Sequence, residues 1–582
     1  MLNGEGYSSL ISQYTALEEG VQPPDSPKES RLLLKSEKQN NPFIIKVVSN
    51  ALNYVAQAIS TTGTTVIIAR MLHGLAGAAD LANLWQSVAR NAVGGGMVAT
   101  AQYFTKDIGN KSLLLSNDLT SEERVARETT IERAREIIAV SYVLTALLTV
   151  MSMTAFGLSY FILPSVADAE TADATFLYLV LSGLGTWPTL ALNTIGQTAY
   201  VRGYYKSPVI SSFGNRIPAV LLSYLFVKYT AQLNNIKGVG LGNALGSWLS
   251  YLAMEIWMRH QSEFSFMEMK KLPFSKTLLK KDLPPMFKLW AMMALQRFSE
   301  WGNLWAVGTL IGALSSDDLK KTNASTTIIG ILGLIYQGIG TAGNLTLTTE
   351  IKILESTDID IDTKKIAFQK IKSDVFKFLL ASLVASISLG AFIFSLKEYI
   401  VQVLADDKSQ GFESISQEIL SITLLALVGD SVRITSSNLL NAWYNKNDYK
   451  ADRLLGSGFY KILLPNIVSI MTMTAIGIPA GYFTGYLSGN EENNNNMLIC
   501  IFSARAVTVF IAAIINTLQL YHAIAVDHKK LFPNEDVNET YSARFFTAVK
   551  NKWGFALPVG RARSGSAASD APSMTTYGAA LS

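Results

Sequence analysis

Two acidic residues, Glu300 and Asp430, stand near the middle of long apolar stretches. An ionisable group at membrane depth costs about 3 kcal/mol or more at a helix centre, so it is usually kept for a substrate or ion path. A carboxylate in a partly dry cavity can take up and release a proton near neutral pH. It then holds either a proton or a cationic solute, but not both well, and that exclusion couples two fluxes. Each acid also has a basic neighbour on its own helical face, Arg297 three residues before Glu300 and Arg433 three after Asp430, so local ion pairing is the plainer alternative. Around Glu300, Trp301, Trp305, Met292 and Met293 offer surfaces for a planar cation or for ordinary packing.

The elements that must position these residues are membrane spans. Of 582 residues, 49% are hydrophobic and only 16% charged, with mean hydropathy +0.25, values that exclude a soluble globular class. Twelve stretches are long enough to cross a bilayer, beginning near Pro42, Leu81, Ile137, Ala172, Pro208, Ile236, Leu283, Thr326, Val375, Ile415, Gly456 and Met497. Basic residues crowd the loops after even-numbered spans, such as Arg124 to Arg135, Lys270 to Lys281 and Lys364 to Lys372. The stretches Pro164 to Thr175 and Ser488 to Asn496 hold none. The positive-inside rule then places both termini in the cytoplasm. Split among short loops, these residues form no surface for nucleic acid.

Other chemistry finds no support. No Gly-x-x-x-x-Gly-Lys-Ser/Thr sequence is present, the four histidines lack metal-ligand spacing, and Cys500 stands alone. The expectation is no enzyme activity, no metal and no cofactor. Residues 1–41 and 526–582 read as polar or low-complexity cytoplasmic tails, with no cleavable signal peptide.

An internal repeat organises the rest. Pro42 and Pro284 open the first and seventh spans, and the Val201 to Lys206 loop finds a partner in Leu440 to Lys446, both at an offset of about 240 residues. The expected fold is an all-α membrane protein of twelve transmembrane helices in two six-helix lobes, 42–258 and 283–525, related by a parallel pseudo-twofold. Residues 259–282 form the cytoplasmic connector, and the default site is the cavity between the lobes.

The chain resembles the multidrug and toxic compound extrusion (MATE) transporters of the wider exporter and flippase superfamily. The resemblance rests on Tyr200-Val201-Arg202-Gly203-Tyr204-Tyr205-Lys206-Ser207-Pro208, on Gly238-Val239-Gly240-Leu241-Gly242-Asn243-Ala244, and on Ser299-Glu300-Trp301 and Gly429-Asp430-Ser431 in order. It implies an antiporter in which proton or sodium entry drives efflux of small organic cations or drugs, with Glu300 first and Asp430 second as coupling acid. Asn215 matches an asparagine of the family's first lobe. Thr64 or Thr65 stands where many members have a carboxylate, Ala219 stands where another is expected, and Arg216 adds a positive charge, so coupling falls to the second lobe. The resemblance, with the lack of a signal peptide, favours a bacterial cytoplasmic membrane over a eukaryotic one, and because one chain supplies both lobes the expectation is function as a monomer. Two rivals remain: a flippase for lipid-linked precursors, motivated by Arg90, Arg216, Arg297, Arg433 and Arg505 inside spans, and a degenerate transporter serving as an interaction protein.

Overall fold

The computed structural model describes residues 43–72, 121–201, 207–230, 235–260, 269–314, 316–355, 359–404, 410–448 and 492–532, with a few isolated positions between them. The helices are α1 (Phe43–Met71), α2 (Ser121–Ile162), α3 (Ala169–Gly183), α4 (Thr186–Val201), α5 (Ser207–Tyr229) and α6 (Ile236–His260). They continue with α7 (Lys276–Leu314), α8 (Ser316–Glu355), α9 (Ile361–Ser395), the short α10 (Lys397–Leu404), α11 (Gln410–Asp448) and α12 (Glu492–Leu531). Among the described residues there is no strand. Ten of the twelve predicted spans fall on these helices, the fourth as α3 and α4 with a 50° bend between them. The spans predicted from Leu81 and Gly456 lie outside the described residues apart from isolated positions, as do Arg90, Gly94-Gly95-Gly96 and the Arg202 to Lys206 loop. The helix carrying the seventh span begins at Lys276, inside the stretch expected as a connector, and runs through Pro284 and Pro285.

Helix starts follow local rules. Asp168 caps α3 by accepting from the Thr171 backbone N–H at 2.9 Å, and Asp360 caps α9 through Thr363 N–H at 3.0 Å. Hydrogen bonds from the Thr363 side chain and backbone hold the Asp360 carboxyl below its ordinary value.

Five described helices are long and apolar enough to cross a membrane, or six with the bent pair. On α9 Phe376, Leu380, Val384 and Ile387 are exposed, recurring every three or four positions along one face. An unpaired apolar stripe of that length is stable against lipid and untenable against water. The most apolar stretches of α8 and α11, by contrast, are mostly buried, so these two helices form the centre of the bundle. The protein is a multi-pass membrane protein.

Two apolar clusters fill the interior. One joins Leu163 and Tyr178 to Leu332, Tyr336, Leu420 and Phe502. The other seats the first half of α7, through Met286, Leu289 and Met293, on Ile137, Leu190 and Met258 of α2, α4 and α6. Met1–Ile524 forms one compact unit and Ala525–Ser582 a second.

The α5–α6 crossing has almost no side-chain layer. Gly238, Gly242 and Gly246 recur every four residues, and a Cβ on Gly246 would overlap the Ala219 backbone, one on Gly242 the Ser223 backbone. The Ser223 hydroxyl donates across the crossing to the Val239 carbonyl at 2.9 Å. Gly246→Ala is expected to destabilise by about 1–2 kcal/mol, because backbone must move to admit a methyl group. Gly157→Ala and Gly390→Ala meet nothing within 4 Å and are expected to be neutral. Thermal unfolding of the purified protein in detergent distinguishes the two cases, and equal losses at all three positions would refute the crossing.

Candidate functional site

Helices α8 and α11 meet along a seam of buried polar residues. From α8 come Gln337, Thr341 and Asn344, all 0% exposed, and from α11 come Asn438 and Asn441, both 1% exposed. Asn344 Nδ2 donates to the Asn438 carbonyl at 2.8 Å, and Asn438 Nδ2 donates to the Ile434 carbonyl at 2.8 Å. Gly340 packs against the Asn438 side chain, where a Cβ would stand 2.9 Å from Nδ2. The first helix lies over this seam: Tyr54 Oη and Thr341 Oγ1 are 3.4 Å apart, and Gln197 of α4 donates to Asn50 Oδ1 at 3.3 Å. At the crossing, a Cβ on Gly338 would stand 2.7 Å from the Asn50 carbonyl oxygen. Buried polar groups cost little while hydrogen-bonded and a great deal otherwise, so the seam is a connected network rather than scattered hydroxyls.

Charged residues enter the seam at two places. Arg297 of α7 is buried, and its Nη2 donates to Thr341 Oγ1 at 3.4 Å. With the Gln337 amide oxygen turned toward it, Arg297 also donates to that oxygen at 3.1 Å from Nη2 and 3.3 Å from Nε. No acid partners Arg297 among the described residues. Further along α11, Asp430 is held between two guanidinium groups. Arg433 donates to Oδ1 from Nε at 3.0 Å and from Nη2 at 2.7 Å, and Arg505 of α12 donates to Oδ2 from Nη2. All three side chains are buried, and Nε and Nη1 of Arg505 meet no protein acceptor.

The sequence-predicted residues therefore divide. Asp430 and Arg433 form the ion pair that their spacing allows, and Arg505 joins them. Arg297 turns to α8. Glu300 and Trp301 lie on α7, one turn beyond Arg297, and their side chains are outside the described residues. Asn215 lies apart on α5, buried, donating to Thr189 Oγ1 at 3.4 Å while its Oδ1 meets no partner. Ala219, one turn on, has Gly246 of α6 against its backbone, a close approach that fits a methyl group where the family pattern has a carboxylate. Sequence reasoning did not single out Gln337, Thr341 or Asn438. The available signal was the uncharged polar run Thr341, Asn344, Thr346 and Thr348 inside one span.

At the end of the bundle where α7 begins, Asp282 accepts from Arg133 of α2 at 2.7 and 2.8 Å and from Tyr103 Oη at 2.9 Å. Arg133 also reaches Glu136 at 2.7 Å. Burial pushes the Asp282 carboxyl up, but hydrogen bonds from Arg133 and Tyr103 and the charges of Arg133 and Lys281 outweigh it and hold the group below its ordinary value.

A bundle crossed at its centre by α8 and α11, with charge sealed between them, matches solved structures over most of its length. The chain has the MATE transporter fold. It superposes on the eukaryotic MATE transporter AtDTX14 with TM-score 0.60 at 13% identity, over 86% of this chain and 99% of that one. A MOP-superfamily transporter from Pyrococcus furiosus gives TM-score 0.62 at 12% identity, over 86% and 99%. A multidrug resistance MATE family transporter of the same superfamily, in an outward-facing conformation, gives 0.60 at 12%, over 87% and 100%. No protein-family model matches the sequence, and no curated protein matches it significantly. The seam residues are buried within α8 and α11, where charge is costly to keep.

Proposed function

We propose that this protein is a secondary transporter that carries an organic solute across the membrane by alternating access of two six-helix halves, residues 42–258 and 283–525, driven by a proton or a sodium ion. The observation that carries the reading is the set of charges buried along the α8–α11 seam of this fold, Arg297, Asp430, Arg433 and Arg505. Charge at that depth is retained where a path needs it. Glu300 is the proposed coupling acid, because Asp430 already faces two guanidiniums and has no charge to offer a third cation. Trp301 beside it is the proposed stacking surface for a ring, and Asn215 the polar station of the first half. One chain supplies both halves, so a monomer suffices.

Of the structures it resembles, one is described as a multidrug resistance transporter and another as having a binding pocket of reverse polarity that suggests a different function. Efflux of cationic drugs rests on Glu300 alone. A second reading, movement of an acidic lipid-linked precursor, draws on the excess of buried arginine over buried acid in the seam.

The test is uptake of a fluorescent cation and of a fluorescent anion into everted vesicles energised by a proton or a sodium gradient. Gradient-dependent uptake of either probe is expected, reduced at least tenfold in Glu300→Gln, within the range seen when an ionising group is removed. Uptake of neither probe under either gradient would sink the transporter reading.

A further inference from the structure

The charge balance of the seam goes one step further than the reading above, on which it rests. Three arginines, Arg297, Arg433 and Arg505, are buried there at 3–5% exposure, against one described acid, Asp430. Every other buried acid among the described residues has its own partner elsewhere. Asp282 holds Arg133, Glu350 lies 3.7 Å from Lys370, and Asp374 lies 3.2 Å from Lys377. Glu255 accepts from the Met269 backbone N–H at 3.1 Å and from Tyr251. Glu300, one turn from Arg297, can cancel at most one charge. Counted over the described residues and Glu300, the seam is therefore positive whichever state Glu300 takes.

The positive charge is also under-used. Arg505 spends one of its three nitrogens on Asp430, while Nε and Nη1 are buried without a protein acceptor. Among the described residues, Arg297 makes only long bonds to neutral oxygens, 3.1 to 3.4 Å. Guanidinium groups bind oxyanions such as carboxylate and phosphate through paired charge-assisted hydrogen bonds. Asp430 and Asn438, which mark the two arginine stations on α11, are eight residues apart, roughly 12 Å along the helix.

We propose that the α8–α11 seam is an oxyanion site, and that the transported solute carries a carboxylate, sulfonate or phosphate group held by Arg505 at one station and by Arg297 at the other as it crosses. Asp430 is a positioning residue: it holds Arg505 and Arg433 in place and screens one of their charges, so that a bound anion can leave again. The same chemistry would serve a soluble organic anion or the phosphate of a lipid.

The experiment uses the full-length protein in detergent and follows saturable quenching of its tryptophan fluorescence by two ring compounds of opposite charge, 1-naphthalenesulfonate and 1-naphthyltrimethylammonium. The sulfonate is expected to bind at least tenfold more tightly. Arg297→Gln and Arg505→Gln should each erase most of that preference, and Arg297→Lys should keep part of it, which a loss of folding would not. Competition then separates the sources: displacement by short-chain phosphatidic acid at lower concentration than by methyl phosphate indicates a lipid, and the reverse a soluble anion. Tighter or equal binding of the ammonium, no saturable binding of the sulfonate, or a preference untouched by the arginine variants overturns the proposal. Should Arg505→Gln not fold, the Arg297 pair decides alone. Gradient-driven uptake of a cation only would sink this inference and leave the transporter reading standing. Anion binding without gradient-driven uptake would sink the transporter reading and leave only the oxyanion site standing.

Discussion

Asp430→Asn lowers the stability of the protein by about 3–5 kcal/mol, the range found when one partner of a buried ion pair is removed. The amide leaves Arg433 and Arg505 facing each other at a few per cent exposure, with no other acid among the described residues to separate them. Arg505→Met is milder, since Asp430 keeps two hydrogen bonds from Arg433 and the unpartnered nitrogens of Arg505 disappear with it. The double variant is then less destabilised than the sum of the two by about 1–3 kcal/mol, the size of coupling between residues in direct contact. Thermal unfolding of the four proteins in detergent closes the cycle. Additive losses would show that the three side chains do not act as a unit.

Arg133→Gln is expected to cost about 3 kcal/mol, at the low end of the same range because the Arg133 side chain is 20% exposed and its charge partly screened. The loss depends on pH with a definite sign. The folded Asp282 carboxyl is held below 3.8, so its pairing contributes fully above that value and is lost as pH falls through the lowered folded value. Wild type and variant should therefore differ most near neutral pH and converge below about pH 4. A gap that stays constant from pH 7 to pH 3 would mean that Arg133 acts by packing alone.

The sequence made the helices legible because an apolar span leaves a long hydropathy signal that nearby loops do not blur. It also made Arg433 legible as a partner for Asp430, since three residues on a helix is a local distance. Arg505 is a different matter. It stands 75 residues away from Asp430, and spacing carries no information about which spans pack together. For Arg297 the spacing points to Glu300, whose side chain lies outside the described residues, while α7 also brings Arg297 to Gln337 and Thr341 of α8, whose polar run was readable only as composition. The absence of a carboxylate at Ala219 was visible from the start. Its physical counterpart, the Gly246 backbone resting on Ala219, needed the packing of α5 on α6.

That packing also says where the molecule can bend. Along α5 and α6 the backbones touch at both Gly242 and Gly246, one turn apart, and two points of contact fix a line. The pair cannot swivel without separating, so it behaves as a stiff plate. Between α1 and α8, which belong to opposite halves of the proposed transporter, Gly338 brings one backbone against Asn50 and Ala51 of the other. The polar contact beside it, Tyr54 with Thr341, is 3.4 Å long, a length at which partners exchange at little cost. In the proposed transporter that close contact beside a loose, exchangeable bond is the fulcrum, and the lever arms on either side of it are the two ends of α1.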